Sequence, residues 1–206
     1  MIAATRRIAP YFTHVTIEED LAMTEQAIAL LLAPGFEEIE AVTPIDVLRR
    51  AGFTVKVAAV GGNKGTVVGA HGIPVVCDCE VSDLKAAALQ MVILPGGLPG
   101  ATNLAASAAV CSLVKAVHDQ GGWAAAICAA PLALQAAGVL ADHAYTCYPS
   151  VEQKIGGKYS GKRVEKDRRV VTGCGPGASL EFALELVRCL GKRDIADQLA
   201  KGMLVG

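Results

Sequence analysis

The stretch 123-WAAAICAAPLALQAAG-138 decides how this chain is read. "WAAAI" is a short apolar run of the kind that forms a buried strand, and "APLALQAAG" reads as a helix that ends at Gly138. Cys128 sits at the join. Pro131 suits the first helical turn, where its missing N–H would have had no partner anyway. A sharp strand-to-helix turn lifts a side chain above the edge of an α/β sheet, a common position for a nucleophile. The helix that follows offers unpaired N–H groups and the positive end of its dipole. That favours a thiolate by about 0.3–2 kcal/mol and predicts a Cys128 pKa below the usual value of about 8.5. The bland alternative is a buried structural cysteine. Residues 123–141 are long and apolar enough to suggest a membrane span, with Gln135 their only polar residue. Pro131, Gly138 and the many alanines speak instead for a buried strand followed by a buried helix.

Outward from this stretch, strand and helix patterns alternate. "AIALLLAP", "FTVKVAAV", "MVILPGG" and "RRVVTGCGPG" read as strands. "EEIEAVTPIDVLRRAG" reads as a helix capped at Gly52. Ile39, Val42, Ile45 or Asp46, and Leu48 would share its apolar face, and Pro44 predicts a kink or a late start. "GTVVGAHGIPVVCD" reads as two short strands about a glycine turn. "SDLKAAALQ" reads as helical, residues 101–120 as one long helix, and "ASLEFALELVRCLG" as a periodic helix capped by Gly191. "KRVEKDRR" reads as a solvated hairpin or loop. Such alternation predicts a mostly parallel sheet covered on both faces, in one domain from residue 26 to 206.

The composition supports this. The chain has 206 residues, 52% hydrophobic and 19% charged, with a formal net charge of -1. A disordered chain and a nucleic-acid binder are therefore disfavoured. Residues 1–25 differ from the rest, with two arginines in an acid-poor start and an acidic stretch before the pattern begins at Gln26, just after Met23. They read as a disordered extension or upstream start, with a mitochondrial targeting segment as the alternative to a cytoplasmic location. The cysteines number seven and include no CxxC. An odd count suggests free thiols in a reducing compartment. Cys77 and Cys79, two apart, would share one face of a strand, too few for a zinc site. No metal site or cofactor motif is expected.

In a parallel sheet of this kind, ligands bind beyond the carboxyl ends of the strands. Three such ends carry something: Gly35–Glu40, Pro95–Gly97 and Cys128. Glu37 and Glu38 suit a helix cap. Glu40 would face inward, where a carboxyl group beside a thiolate has its pKa raised and donates to the sulfur. "LPGG" offers backbone N–H groups at close approach, and Gly96, Gly97 and Ala129 form a candidate oxyanion site. "GCGPGAS" lacks a full dinucleotide fingerprint. The four histidines, His14, His71, His118 and His143, stand in no motif.

"APGFEEIEAVTPIDVLRRAG", "VILPGGLPGATNL", "AAICAAPLAL" and "RVEKDRRVVTGCGPGASLEFALELV" together resemble the ThiJ/PfpI superfamily, and most of all its DJ-one branch of parkinsonism-associated deglycases. The resemblance covers about Gln26 to Gly206. It implies a flavodoxin-like three-layer α/β sandwich, a homodimer, and a reactive cysteine, Cys128, hydrogen-bonded by Glu40. It further implies cofactor-free action on small dicarbonyls such as methylglyoxal, or on glycated groups, without glutathione. The alternative is a redox-sensing, stress-protective chaperone whose cysteine oxidises to sulfinic acid. Three positions depart from the pattern. Ala130 replaces a usual glycine and is expected to tighten the pocket or shift the turn. His71 stands where relatives carry an arginine that reaches the partner's site. Tyr148 replaces a histidine. Ala129 stands where the superfamily's proteases have a histidine, which disfavours peptidase activity.

Overall fold

A computed structural model describes residues 26–61 and 65–205. Readings placed on residues 1–25 fall outside it. In chain order the elements are β1 (Ala27–Leu32), α1 (Glu38–Arg50), β2 (Val55–Ala59), β3 (Thr66–Val68), β4 (Pro74–Val76), β5 (Cys79–Glu80) and β6 (Leu89–Leu94). There follow α2 (Gly100–Ala106), α3 (Ala108–Asp119), β7 (Trp123–Ile127), α4 (Pro131–Ala136), β8 (Ala144–Tyr145), α5 (Glu152–Ile155) and β9 (Lys158–Tyr159). The chain ends in β10 (Val164–Asp167), β11 (Val170–Gly173), α6 (Ser179–Cys189) and α7 (Arg193–Gly202).

A seven-stranded sheet runs in the order β10-β11-β7-β6-β1-β2-β5. All its pairings are parallel except that of β10 with β11. The central strands are apolar throughout because helices cover both faces. Along β1 the pleat sends Ala27, Ala29 and Leu31 into one core, against α2, α3 and α4. It sends Ile28, Leu30 and Leu32 into the other, against α1, α6 and α7. Phe182 of α6 is fully buried in the second core. Phe182→Ala should destabilise the fold by about 3–5 kcal/mol through lost transfer energy and the cavity left behind. Urea denaturation checks this, and a loss below about 1 kcal/mol would contradict the packing.

Several expectations need correction. The helix read over residues 101–120 is two helices bent by 76°. Ser107 separates them, and its hydroxyl accepts from the Val110 N–H. That is an N-cap starting a new helix. "SDLKAAALQ" forms only two 3₁₀ turns, Val81–Asp83 and Ala86–Ala88, before β6 begins. The helix propensity of its alanines yields to the need to enter the sheet. α1 buries Glu40, Ala41, Pro44, Val47 and Leu48, while Ile39 and Val42 are exposed. The inward face is thus rotated from the one expected, and α1 starts at Glu38 and continues past Pro44. Cys77 follows β4 and joins the core on one side of the sheet, whereas Cys79 opens β5 and packs on the other. The "KRVEKDRR" segment is a hairpin arm, with β10 on the sheet edge. α7 had no counterpart in the sequence reading.

Among the described residues no single helix is long and apolar enough to cross a membrane. The apolar window from Trp123 is a strand and a helix, as expected.

Candidate active site

The strand order β2-β1-β6-β7-β11 reverses direction between β1 and β6, so the loops leaving these two strands diverge and open a crevice at their carboxyl ends. The loop after β1 leads into α1, the loop after β6 carries Pro95–Pro99, and Cys128 ends β7 next door. Glycines let these loops interlock. A Cβ on Gly97 (φ 84°) would stand 2.3 Å from the Glu37 nitrogen, and one on Gly100 2.6 Å from the Phe36 nitrogen.

Cys128 has φ 63°, a left-handed conformation that is strained for a side-chain-bearing residue. Two backbone bonds hold it there. Its N–H donates to the Gly173 carbonyl at 2.9 Å, and its carbonyl accepts from the Tyr148 N–H at 2.9 Å. This conformation sets the half-buried Cys128 at the carboxyl end of β7, at the strand-to-helix turn that the sequence predicted. Ala130 fits without strain: it is fully buried at φ -67°, ψ -19°, ordinary helical values. The expected tightening at this position needs no shift of the turn.

Glu40 is fully buried in the first turn of α1. Its Oε2 accepts from the Gly96 N–H at 2.8 Å, and its buried Oε1 has no hydrogen-bond partner. The carboxyl and the Cys128 side chain both close on Gly96, and each shifts the other's pKa. Burial raises the Glu40 pKa to about 7, opposed by the neighbouring Cys128 thiol and the Gly96 N–H. Its pKa is raised, as expected, but desolvation rather than a thiolate charge is the main cause.

For the thiol the outcome reverses. Burial, then the Glu40 carboxylate, push Cys128 up to about 12, while the N–H groups of Gly97 and Ala129 pull it down. The expected standing thiolate is therefore corrected. Both groups are thus shifted toward their neutral, protonated forms.

The oxyanion assignment changes too. The Gly96 N–H is committed to Glu40. Gly97 and Ala129 supply the N–H groups that face the sulfur. Gly96 has a different task, since a Cβ there would stand 2.5 Å from Glu40 Oε2 and 2.6 Å from the Cys128 Cβ. Gly96→Ala should destabilise the fold by about 1–3 kcal/mol and change the alkylation rate of Cys128. Denaturation and iodoacetamide labelling would show both; an unchanged variant would mean that the close approach is not required.

Two pocket expectations separate. Tyr148 belongs beside the elbow: its ring is about half exposed and lies against Gly175, where a Cβ would meet the ring at 3.4 Å. His71 pairs instead with Glu38, Nδ1 to Oε2 at 2.8 Å, and with Glu37 at 3.6 Å. All seven cysteines are free thiols. Burial also raises Cys77, Cys147 and Cys189, each to about 11. A cleft lined by Gln26, Leu89, Trp123 and Arg169 opens at the opposite, amino end of the strands, away from this chemistry.

Fold and site together define a flavodoxin-like α/β protein with a cysteine elbow backed by a buried glutamate. The chain belongs to the DJ-1/PfpI family, whose model matches residues 26–189. It is 37% identical over 179 residues to the Drosophila melanogaster protein dj-1beta, an alignment covering 85% of this chain and 95% of the fly protein. It is also 37% identical over 184 residues to the Caenorhabditis elegans glutathione-independent glyoxalase DJR-1.2, covering 87% and 97% of the two chains. The crystal structure of Drosophila DJ-1beta superimposes with a TM-score of 0.83 at 35% identity, over 88% of this chain and 99% of that one. The fold and family that the sequence motifs implied are thus borne out.

Proposed function

We propose that this protein converts methylglyoxal to lactate without glutathione, with Cys128 as nucleophile and Glu40 as proton carrier. The observation that carries the reading is the buried Glu40 carboxyl against the Cys128 thiol, with the Gly97 and Ala129 N–H groups facing the sulfur. A carboxyl with a pKa near 7 is matched to moving protons at neutral pH. The resemblance to a worm protein named as a glutathione-independent glyoxalase supports the same chemistry.

In this reading the sulfur adds to the aldehyde carbon as Glu40 takes the thiol proton. The Gly97 and Ala129 N–H groups stabilise the oxyanion, which takes the proton back from Glu40 to become a hemithioacetal and leaves Glu40 ionised. Glu40 next removes the proton from the former aldehyde carbon and an enediol forms. Return of a proton to the neighbouring carbon leaves a lactoyl thioester. Water cleaves it, releasing lactate and restoring the thiol. The sum is methylglyoxal plus water to lactate, with no external oxidant or reductant. The same attack on an early dicarbonyl adduct of an amine or thiol would be protein deglycation. Peptidase activity is not part of the reading, since Ala129 offers no base beside the nucleophile. The test is steady-state lactate formation by the purified, contaminant-free chain, and its absence would end the proposal.

A second reading has one specific support. A Toxoplasma gondii relative, 34% identical with a TM-score of 0.80, has a structure described as oxidized. In that reading Cys128 is a redox sensor, and its sulfinate would be held by the donors that face the sulfur. Mass spectrometry after graded peroxide distinguishes this role, which requires Cys128 to oxidise before the other thiols.

We further propose a homodimer that buries the outer face of α1. Ile39 and Val42 on α1, with Val68, Ile73 and Val76 on the β3–β4 hairpin, are exposed apolar side chains. Sedimentation at micromolar concentration should give a dimer; a clean monomer would refute it. Seven free thiols suit a reducing compartment, and we assign the cytoplasm.

A further inference from the structure

The β3–β4 hairpin folds over the start of α1 and brings His71 onto Glu37 and Glu38. Glu38 is 6% exposed. Its Oε1 accepts from the His71 N–H at 2.7 Å and from the Ile73 N–H at 3.4 Å, which fixes the carboxylate. Its Oε2 is left to the His71 ring, Nδ1 at 2.8 Å. A Cβ on Gly69 would stand 2.4 Å from Glu38 Oε1, so the hairpin closes on this carboxylate only because residue 69 is glycine. Glu37 reaches the same ring nitrogen at 3.6 Å. Among the described residues no lysine or arginine pairs with Glu37 or Glu38, so two carboxylates, one of them buried, share a single imidazole. Two backbone N–H groups and the imidazole already hold Glu38 as a carboxylate, whereas Glu37 meets only the ring nitrogen.

We propose that Glu37, Glu38 and His71 form a binding site for a first-row divalent cation such as Zn²⁺. One oxygen from each glutamate and one ring nitrogen of His71 already lie within 4.8 Å of one another. Two carboxylates with one imidazole are a borderline donor set, suited to zinc and its first-row neighbours rather than to calcium or magnesium. Three protein ligands leave a coordination position for water. The backbone bonds to Glu38 are the outer-shell support that orients a ligand. The His71 side chain is 67% exposed and free to adjust. Binding replaces the proton on the coordinating nitrogen, which passes to solvent.

The site is distinct from the thiol but linked to it by one residue. The Glu37 N–H donates to the Gly96 carbonyl at 2.9 Å, and the Gly96 N–H donates to Glu40. Sequence spacing could not reveal the site, because His71 is 33 residues from Glu38 and only the hairpin joins them.

The test is titration of the full, reduced chain with Co²⁺ as a spectroscopic stand-in, followed by Zn²⁺ competition. One equivalent should bind through oxygen and nitrogen, giving d–d absorption without a thiolate charge-transfer band. Cys128→Ser should bind as the wild type does. His71→Ala should weaken binding by about tenfold or more, since even a partner one shell out from a metal is worth that much. His71→Gln keeps a donor for Glu38, and with it the hairpin's attachment, and should weaken binding equally. Thermal unfolding confirms that each variant is folded. The proposal is overturned by absence of saturable binding, by a thiolate charge-transfer band at the first equivalent, or by wild-type affinity in either folded His71 variant. The cluster is then only a carboxylate–imidazole clasp between hairpin and helix.

Discussion

Cys128→Ser should abolish lactate formation while leaving the fold intact. Serine differs from cysteine by one atom and can keep both backbone bonds that hold position 128 in its left-handed conformation. The loss is therefore chemical. An alcohol beside Glu40 is a far weaker acid than a thiol, and a carboxylate with a pKa near 7 cannot deprotonate it usefully. The fall should be on the order of 10³-fold or more, within the range reaching about 10⁶ when a nucleophile is removed. Lactate production and thermal unfolding of the same preparation check it. Turnover within tenfold of wild type would show that the sulfur is not the nucleophile. Cys77, Cys147 and Cys189 are poor substitutes: burial raises each to about 11, and the glutamate that Cys189 meets, Glu185, lies at 3.9 Å on the same helix.

Much of this site was legible because its signals are local. A strand, a cysteine and a proline-led helix in one stretch mark the elbow, and "EEIE" after a Pro-Gly turn puts one carboxylate inward. The glycine pair "PGG" announced a close approach. What the sequence hid depends on pairings between distant segments. Gly96 read as an oxyanion donor until its N–H was found on Glu40, 56 residues away. The thiol's upward shift could not be inferred from helix position, because it follows from burial and from the carboxylate packed against it. His71 stood in no motif, and only the hairpin shows that it meets Glu37 and Glu38 of its own α1. The break at Ser107 did carry a local sign, a serine at a helix start, masked by apolar periodicity on both sides. The exposed Ile39 and Val42 misplaced the inner face of α1, since an apolar stripe does not say which neighbour it will meet.

Glu40→Gln should separate reactivity from turnover. The amide oxygen can still accept from the Gly96 N–H, and the amide N–H₂ can still donate to the sulfur, so the pocket keeps its shape. The negative charge that pushes the Cys128 thiol up is gone, while the Gly97 and Ala129 donors remain. Alkylation by iodoacetamide should therefore be as fast as in the wild type, or faster. Turnover should nonetheless fall by about 10²-fold or more, the usual contribution of a general base, because an amide cannot take the proton from the hemithioacetal carbon. The two rates, measured at one pH on one preparation, must move apart. If lactate formation survives, Glu40 only shapes the pocket and the proton-carrier mechanism is wrong. If alkylation and turnover collapse together, Glu40 serves to activate the sulfur, and the carbon proton must leave by another base.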